Sequence, residues 1–417
     1  MSDCDNIDRR GYSIDGFSMQ IKNNLISTED FVPKIVSLTY NLYMKKSDRI
    51  STARYNNMTS RSMNIGVVGL GAHGKNRAKI LQEMGHSVCG ADADLEYCKR
   101  FEENLGTSTY TSPDDLYEQN LDAIIISTPN KFHETFAIDA LKAGFNVLIE
   151  KPLAHNHTSA KTIASVAHRT GNICMTGYSN RFLNSFQVAH EYIKKGYLGE
   201  ITHINARHVR RRGIPGRGTW FTSNDIAGGG VIMDIGASLI SLLLPLSGWP
   251  EITTIESISR SEFGSRSDYS YLQMWGEDDE GKLYDVEDSV VAFCEFDNGV
   301  SASIEMAWAA NTESKHEYEI QGTEAGGQIK MPNRYEDINQ DESTNTGLKL
   351  FEVRSGPADH FVDSTLTIPS NDPYHDELEA FLDAAAENER PEVNNIEQSL
   401  QVQRAIEQIY EESTSLC

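Results

Sequence analysis

The feature that most constrains this chain is a glycine-rich stretch at residues 65–74, which reads IGVVGLGAHG. Gly69, Gly71 and Gly74 have the spacing G-x-G-x-x-G, with a short apolar run before them and a helix-prone segment after them. The first glycine allows a tight turn, the second lets a pyrophosphate approach the backbone, and the third lets the helix pack closely on a sheet. The stretch therefore predicts a strand, a dinucleotide-binding loop and a helix.

The residues that follow support this prediction. Residues 88–92 read as a second strand, and Asp92 ends it about 20 residues after the first glycine, as the pattern requires. Asp92 is placed to accept hydrogen bonds from ribose hydroxyls, and its charge, with that of Asp94, would repel a 2′-phosphate. NAD is therefore favoured over NADP. The alternative role for Asp92 is to cap the next helix. Ala72 and His73 lie in the loop, at a helix N-terminus that faces the phosphates.

Strands and helices alternate from residue 64 onward. Strands are predicted at 64–68, 87–91, 122–127 and 146–149, with a weaker one at 107–110, and helices at 75–84, 94–105, 131–143 and 157–169. Such alternation predicts a doubly wound parallel sheet. Later segments at 253–260, 289–296, 300–308 and 318–322 read as antiparallel strands, and those at 374–388 and 396–410 read as helices. The predicted fold is an α/β Rossmann domain plus an α+β C-terminal domain with an open, mostly antiparallel sheet.

Polar residues follow two of the parallel strands at their carboxyl ends, where ligands bind in open α/β sheets. These residues are Thr128, Pro129, Asn130 and His133 after one strand, and Glu150, Lys151 and Pro152 after the next.

These motifs, in this order and spacing, resemble the glucose–fructose oxidoreductase/inositol dehydrogenase (Gfo/Idh/MocA) family over about residues 63–412. The resemblance implies an NAD(P)-dependent oxidoreductase that transfers a hydride between a nicotinamide cofactor and a sugar, inositol or related polyol. It also implies a homodimer or homotetramer. The implied cofactor-binding residues are Gly69, Gly71, Ala72, His73, Gly74, Asp92, Thr128, Pro129, Asn130, His133, Glu150 and Lys151.

The resemblance places Lys151 near the nicotinamide and the substrate hydroxyl. Lysine suits that position because burial and a neighbouring cation can make a lysine amine neutral, so that it accepts a proton. Without the other motifs, a Lys-Pro pair after a strand would be an ordinary surface turn.

The chain departs from its family at a third motif. Many of these dehydrogenases carry Asp-x-Gly-x-His-x-x-Asp on a helix, where residues four apart share one face. Here Asp234 and Gly236 remain, but Ser238 stands at the histidine position and Ser241 at the second acidic position. A serine hydroxyl does not ionise near neutral pH, so it cannot replace an imidazole as a proton shuttle.

Three interpretations of this departure stay open. Lys151 performs the acid–base step while Asp234 and Ser238 orient the substrate, or Tyr178 or His208 has taken over the histidine role, or oxidation is slow or lost. The predicted catalytic residues are Lys151, Asp234 and Ser238.

The resemblance places a second group at the junction of nicotinamide and substrate, and this gives a substrate-binding set of Tyr178, Asn180, Arg181 and Asp234. A structural ion pair is an equal alternative for Arg181. Two rival functions follow from the same sequence: a non-redox, glycosidase-like enzyme that uses NAD transiently, and a cofactor-binding protein without turnover.

The net charge of −24 is concentrated after residue 62, because residues 1–62 carry more basic than acidic side chains. Such an acidic body argues against nucleic-acid binding. Simple solubility or adaptation to salt explains it. Five arginines, called the arginine island below, lie close together in this acidic sequence: Arg207, Arg210, Arg211, Arg212 and Arg217. They either pair with acidic side chains within the molecule or steer an anionic sugar into the site. Trp220 and Phe221 either close over the cofactor or pack in the core.

Composition limits the remaining possibilities. The 6 cysteines form no C-x-x-C pair, which indicates reduced thiols in a cytoplasmic protein. No metal is predicted, since His155, His157, His203 and His208 lack the spacing of a metal site. No transmembrane helix is predicted, because we find no apolar run of about 18 residues. The predicted divisions are a disordered or dispensable extension at 1–62, an NAD(P)-binding Rossmann domain at 63–180 and a substrate and oligomerisation domain at 181–412, with a loop at 332–347.

Overall fold

A computed structural model describes residues 62–269, 284–332 and 347–416 of the 417-residue chain. The predicted N-terminal extension, apart from Ser62, and nearly all of the predicted loop at 332–347 lie outside the described residues.

A six-stranded parallel sheet occupies the first half of the described chain. Its strands are β1 (Asn64–Val68), β2 (Ser87–Ala91), β3 (Thr109–Tyr110), β4 (Ala123–Ile126), β5 (Asn146–Glu150) and β6 (Cys174–Gly177). The helices between them are α1 (Ala72–Glu83), α2 (Leu95–Leu105), α3 (Pro113–Tyr117), α4 (His133–Lys142) and α5 (His157–Thr170). The strand order is β3-β2-β1-β4-β5-β6, and every neighbouring pair is parallel. The chain reverses its direction of winding between β1 and β4, where open α/β sheets bind ligands.

The pattern of apolar residues explains this sheet. All four residues of β4 are fully buried, as expected for a central strand covered on both faces. Helix α1 begins three residues earlier than predicted, because Gly71 is its N-cap and the glycine loop supplies its first turn.

A nine-stranded sheet forms the second half. Its strands are β7 (Ile201–Val209), β8 (Ile252–Arg260), β9 (Ser289–Phe296), β10 (Ser301–Ala307), β11 (Lys315–Gly322), β12 (Ala325–Lys330), β13 (Gly347–Arg354), β14 (His360–Leu366) and β15 (Ser413–Leu416). The order is β14-β13-β12-β11-β7-β10-β9-β8-β15; β7 pairs with β10 and β8 with β15 in parallel, and the other pairs are antiparallel. The predicted fold class is confirmed.

The remaining helices are α6 (Asn184–Lys194), α7 (Asn224–Ala227), α8 (Ala237–Leu246), α9 (Pro373–Glu387) and α10 (Ile396–Glu411). Short 3₁₀ turns occur at Asn130–Phe132, Ser179–Phe182 and Trp220–Thr222, and a π-helical turn, Ile232–Gly236, leads directly into α8. π-Turns are rare and are often found at functional sites.

The helical stretch Asn224–Leu246 is the core of the second half. Its length and its mean hydropathy of 1.8 would suffice to cross a membrane, but 94% of the apolar window is buried inside the molecule. The expectation from the sequence missed this candidate because the apolar residues are interrupted by glycine, serine and Asp234. Its burial is that of a core helix packed on the inner face of the nine-stranded sheet.

The last two helices return to the parallel sheet. Leu378 and Phe381 of α9 belong to the same apolar cluster as Ile65 and Val67 of β1, and Ile396 of α10 belongs to the cluster on the other side. The division of the chain at residue 180 stays a prediction.

Candidate active site

The glycine loop has the geometry that the spacing predicts. Gly69 has φ +91°, in the left-handed region that favours glycine, and a Cβ on Gly74 would lie 1.9 Å from the Gly69 carbonyl oxygen. A Cβ on Gly71 would meet nothing within 4 Å. The first turn of α1 contains no acidic residue, and no side chain caps it. Its backbone amides are therefore available to an anion beside the exposed Ala72 and His73.

Asp92 links the end of β2 to this loop. Its Oδ2 accepts a hydrogen bond from the Leu70 amide at 2.8 Å, and its Oδ1 accepts one from the Asp94 amide at 2.9 Å. The cap of α2 is Asp94, which accepts from the Glu96 amide. The alternative role for Asp92 as the helix cap is therefore wrong, and its half-exposed carboxylate stands at the edge where a ribose is expected.

A cleft opens at the carboxyl edge of the parallel sheet, between that edge and the π-turn. Residues from both halves of the molecule line it, among them His73, Thr128, Lys151, Asp234 and Ser238. Ser127 and Thr128, at the end of β4, place their buried hydroxyl oxygens here without a hydrogen-bond partner among the described residues. These atoms can bind a ligand, since buried polar atoms are normally hydrogen-bonded.

Asn130 also lines the cleft, but its amide group donates to the Ala227 carbonyl at 2.8 Å and so joins the parallel sheet to α7. Pro129 caps the turn that begins at Asn130 and does not line the cleft.

The predicted contact between His133 and the cofactor stays a prediction, and the structure places the ring outside the lining of the cleft. Its fully buried ring lies behind the loop, with Nε2 2.8 Å from the Thr128 carbonyl oxygen and Nδ1 3.0 Å from the Pro152 carbonyl oxygen. Burial lowers the pKa of His133 against the opposing effect of these two carbonyls. The residue braces the two loops that carry cleft residues and does not face the cleft itself.

Glu150 lies at the end of β5 and lines the cleft, but its carboxylate is held by the buried Arg77 of α1, with 2.5 Å between Oε1 and Nε. Burial would raise the pKa of Glu150, but Arg77 and nearby cations lower it to about 2. The carboxylate therefore stays ionised, and its ion pair fixes α1 against the strand that carries Lys151.

Lys151 and Asp234 form the centre of the cleft. Nζ of Lys151 donates to Asp234 Oδ1 at 2.6 Å and to the Asp234 carbonyl oxygen at 2.9 Å. The lysine side chain is 21% exposed, so its amine is reachable from the cleft. The Lys151–Pro152 peptide is cis. Because the Lys151 amine is paired with Asp234 and most of its side chain is buried, the Lys-Pro pair is not an ordinary surface turn.

Asp234 has two further cationic or donor neighbours. Its Oδ2 accepts from Trp308 Nε1 at 2.9 Å and lies 3.9 Å from Arg210 Nη1. Burial would raise the pKa of Asp234, but Lys151 and Arg210 hold it below its ordinary value. The carboxylate is thus a fixed anion that orients the lysine.

Ser238 lies one helical turn after Asp234 and lines the same cleft, as does Ser241. Ser241 donates to the Ser238 carbonyl oxygen at 2.7 Å, within its own helix. The half-buried Ser238 therefore shares the cleft with Lys151 and Asp234.

Tyr178 and Asn180 line the cleft as predicted, but Arg181 does not. The buried Arg181 Nη1 donates to Asn394 Oδ1 at 3.0 Å and to Gln398 Oε1 at 2.8 Å. Arg181 thus anchors the start of α10, and its predicted substrate contact stays a prediction. The sequence places these residues in one turn, but it does not show which side of the turn each one faces.

The arginine island is largely structural. Arg207 pairs with Glu305 at 2.8 Å, Arg212 donates to Asn311 at 2.7 Å, and Arg217 donates to the Arg266 carbonyl oxygen at 3.1 Å. Arg210 is the member of the island that lines the cleft.

Trp220 and Phe221 stack with ring centroids 3.6 Å apart, and both line the cleft.

Two lining residues were missed or left without a role by the sequence. His208, named only as an alternative proton carrier, and His316, not considered at all, lie on neighbouring strands and face the cleft. The alternation of β7, with Ile204 and Ala206 on its buried face, would have placed His208 on that face.

None of the four histidines examined for metal binding belongs to the candidate metal group found among the described residues, which is His375, Asp376 and Glu379 on α9. That group is partly exposed, and none of its three residues lines the cleft. Cys89, Cys98, Cys174 and Cys294, the cysteines for which the structure describes side chains, are free thiols.

Comparison with known proteins is decisive for the family. Residues 63–178 match the oxidoreductase family with an NAD-binding Rossmann fold, and residues 186–327 match the Gfo/Idh/MocA C-terminal domain. The chain belongs to the Gfo/Idh/MocA family. It is an oxidoreductase, and the resemblance drawn from its motifs is confirmed.

Three proteins of the Gfo/Idh/MocA family illustrate how similar this chain is to its relatives. The proposed oxidoreductase subunit of UDP-kanosamine synthase from Amycolatopsis mediterranei is 30% identical over 60% of this chain and 70% of its own length. D-glucoside 3-dehydrogenase of Escherichia coli is 29% identical over 61% of this chain and 71% of its own length. The solved structure of a levoglucosan dehydrogenase with NADH and levoglucosan is 19% identical, with a TM-score of 0.71 over 84% of this chain and 97% of that chain. That likeness shows the fold.

Proposed function

We propose that this protein is an NAD-dependent dehydrogenase that oxidises a hydroxyl group of a sugar, inositol or related polyol. The observation that carries the proposal is the Lys151–Asp234 pair in a cleft at the carboxyl edge of the parallel sheet. The names of three relatives support the substrate class: D-glucoside 3-dehydrogenase, levoglucosan dehydrogenase and myo-inositol 2-dehydrogenase.

The residues present fit a dinucleotide. The open space at Gly71 and the uncapped amides of α1 suit a pyrophosphate, and the Asp92 carboxylate suits ribose hydroxyls. Ser127 and Thr128 supply the buried hydroxyls that lack partners among the described residues. The negative charge of Asp92 supports NAD over NADP. A nicotinamide ring held by these residues would supply the acceptor for a hydride from a carbinol carbon.

Lys151 manages the proton of the reacting hydroxyl. In oxidation, the neutral Nζ accepts the hydroxyl proton as the hydride leaves carbon, and in reduction the ammonium returns it to the carbonyl oxygen. Lys151 and Arg210 hold the pKa of Asp234 below its ordinary value, so Asp234 stays an anion that accepts the hydrogen bond from the lysine amine.

Asp234 and Ser238 orient the substrate in this proposal. Asp234 accepts hydrogen bonds only, whereas a serine hydroxyl both donates and accepts, so the two can fix adjacent hydroxyls of one sugar. Ser238 carries no proton in the reaction, because its hydroxyl does not ionise near neutral pH.

The test is a panel of sugars, polyols and sugar acids offered with NAD and with NADP, at low and high salt, while the nicotinamide absorbance is followed. The proposal expects net reduction of NAD by at least one sugar or polyol. Sugar release without net NADH would instead support a glycosidase-like reaction. NAD binding without turnover of any panel member would support a protein that binds the cofactor only.

We also propose self-association through the outer face of the nine-stranded sheet. Ile258 of β8 and Val291 and Phe293 of β9 are large apolar side chains exposed on neighbouring strands of this face, in a single described chain. Exposed apolar patches of this kind mark contact surfaces. Analytical ultracentrifugation should find a dimer or tetramer, which F293E should dissociate while circular dichroism stays unchanged; a wild-type monomer would contradict this proposal.

A further inference from the structure

We propose that His208 and His316 form a subsite that binds hydroxyl groups of the substrate through two neutral, stacked imidazoles. This inference rests on the proposed sugar or polyol dehydrogenase activity and names the residues that would orient the sugar opposite Lys151. The two rings lie on neighbouring strands, β7 and β11, where they are direct cross-strand partners.

The geometry of the pair is unusual for core packing. The ring centroids are 3.9 Å apart and the planes differ by 9°, so the rings stack face to face. His208 is 8% exposed and His316 is 7% exposed, and both line the cleft. Core positions next to them hold apolar residues, Ile204 and Ala206 on β7, which are fully buried.

The core helix explains why the change from apolar residues to histidine falls here. Tyr318, the next residue of β11 on the inner face, donates from its hydroxyl to the Leu239 carbonyl of α8 at 3.0 Å. The helix therefore covers Tyr318, whereas His316 lies past this contact and borders the cleft.

Each ring of this cleft-lining pair has a nitrogen that is buried and that no described residue satisfies. Nδ1 of His208 and Nε2 of His316 have no hydrogen-bond partner among the described residues. Such atoms are normally satisfied in folded proteins, which indicates a ligand with matching polar groups. A neutral imidazole has one donor and one acceptor nitrogen, and a hydroxyl also donates and accepts, so the chemistry matches a polyol ring.

Burial and the neighbouring positive charges favour the neutral form of both imidazoles. Burial, together with His316, Arg210 and Lys151, lowers the pKa of His208 well below its ordinary value. Burial and Arg210 lower the pKa of His316 to about 4. Two imidazolium ions stacked beside Lys151 and Arg210 would repel one another, so the pair is a poor anion trap and a good recognition surface for uncharged hydroxyls.

The test separates packing from recognition. His208→Phe and His316→Phe keep a flat ring, while His208→Asn and His316→Gln return an amide near the nitrogen that lacks a partner. With levoglucosan, methyl β-D-glucoside or myo-inositol as substrate, each Phe variant should raise KM about tenfold or more. The amide variants should recover most of that loss, and the Kd for NAD should stay unchanged in all four. His360→Phe, at an exposed position of β14 in the same sheet, is the matched control and should match wild type.

Several outcomes overturn the inference. Folded Phe variants with wild-type KM would show that the rings only pack. A wild-type to His208→Phe KM ratio that changes between about pH 5.5 and about pH 8 would show a charged imidazole. If the Phe variants do not fold, deoxy analogues of the substrate replace them: every single-deoxy analogue binding wild type as well as the parent sugar would contradict the subsite.

The subsite can still be tested if the proposed dehydrogenase function is wrong. If no panel member is turned over, calorimetry of the same three sugars with the NAD-loaded protein decides the subsite: binding lost in His208→Phe and regained in His208→Asn supports it, and no binding to wild type overturns it.

Discussion

Asp234 organises the centre of the cleft through three neighbours. One oxygen accepts from Lys151, and the other accepts from Trp308 and lies near Arg210. Each contact reduces the freedom of the carboxylate, so the lysine it holds points in one direction. A π-helical turn presents this residue, and the glycine run before it is tied down by Glu287, which accepts from the Gly230 amide at 3.0 Å.

Asp92→Asn should shift cofactor preference toward NADP. The amide oxygen can keep the hydrogen bond from Leu70, but the charge that repels a 2′-phosphate is lost. The ratio of kcat/KM for NAD to that for NADP should fall roughly tenfold, which corresponds to about 1.4 kcal/mol. An unchanged ratio would remove Asp92 from cofactor selection.

The sequence predicted which residues lie at the cleft more reliably than it predicted which way their side chains point. Lys151, Asp234 and Ser238 were located from motifs, and the structure brings all three together. His133 and Arg181 were assigned from the same kind of motif, but each side chain turns away from the cleft into backbone or side-chain hydrogen bonds. Which side of a short turn a side chain faces depends on tertiary contacts that lie far away in the sequence.

The unit formed by β1, the glycine loop and α1 works through two glycines with different physical roles. Gly74→Ala should lower the free energy of unfolding by about 2 kcal/mol or more, because its Cβ would lie 1.9 Å from the Gly69 carbonyl oxygen. Gly71→Ala should change it by less than about 0.5 kcal/mol, since φ of −66° suits alanine and the space is open.

The affinity for NAD is the second measurement to make on Gly71→Ala. Gly71→Ala should weaken NAD binding by roughly tenfold or more while urea unfolding stays near wild type, because the methyl group would occupy the space assigned to the pyrophosphate. Wild-type affinity in Gly71→Ala would contradict the placement of the phosphates at this loop.

Strands in which apolar and polar residues alternate could be predicted from the sequence, whereas strands that are mostly polar could not. After its first residue, β9 alternates between buried and exposed positions, so the pattern marked this strand and the face it buries. β14 is half-buried or exposed along its whole length, and β7 carries polar residues on its outer face. Their pairing comes from neighbouring strands, which a local pattern does not report.

At the scale of the whole molecule, a buried polar network joins the C-terminal helices to the parallel sheet. Arg77 of α1 contacts Glu150 and also Glu377 of α9, at 2.7 Å. Glu377 in turn accepts from Asn394, whose side chain also accepts from Arg181. The network therefore ties the strand that carries Lys151 to residues more than 200 positions later in the chain.

Glu377 should make stability depend on pH. Burial and the negative charge of Glu150 raise its pKa from 4.5 to about 7, against the opposing effect of Arg77 and Asn394. The folded state then holds a proton that the unfolded state releases, so this stabilisation is complete below about pH 4.5 and is lost as pH rises to about 7. Glu150, whose pKa is lowered to about 2, titrates below this window.

Glu377→Gln should remove that dependence. The difference in free energy of unfolding between about pH 5 and about pH 8, measured by urea denaturation, should shrink relative to wild type by at most on the order of 3 kcal/mol. Glu103→Gln, at an exposed position of α2, is the control and should leave the difference unchanged. A Glu377→Gln variant with the full wild-type pH dependence would show that Glu377 is ionised throughout.

The most direct test of the proposed activity is hydride transfer in Lys151→Ala, with the best sugar or polyol of the panel and NAD. We expect kcat to fall by at least about a hundredfold, within the range for general acid–base catalysis, while calorimetry gives NAD affinity close to wild type. Lys161→Ala, an exposed lysine of α5, should keep the wild-type rate. A Lys151→Ala enzyme that retains the full rate would contradict the assignment of the proton step to this residue.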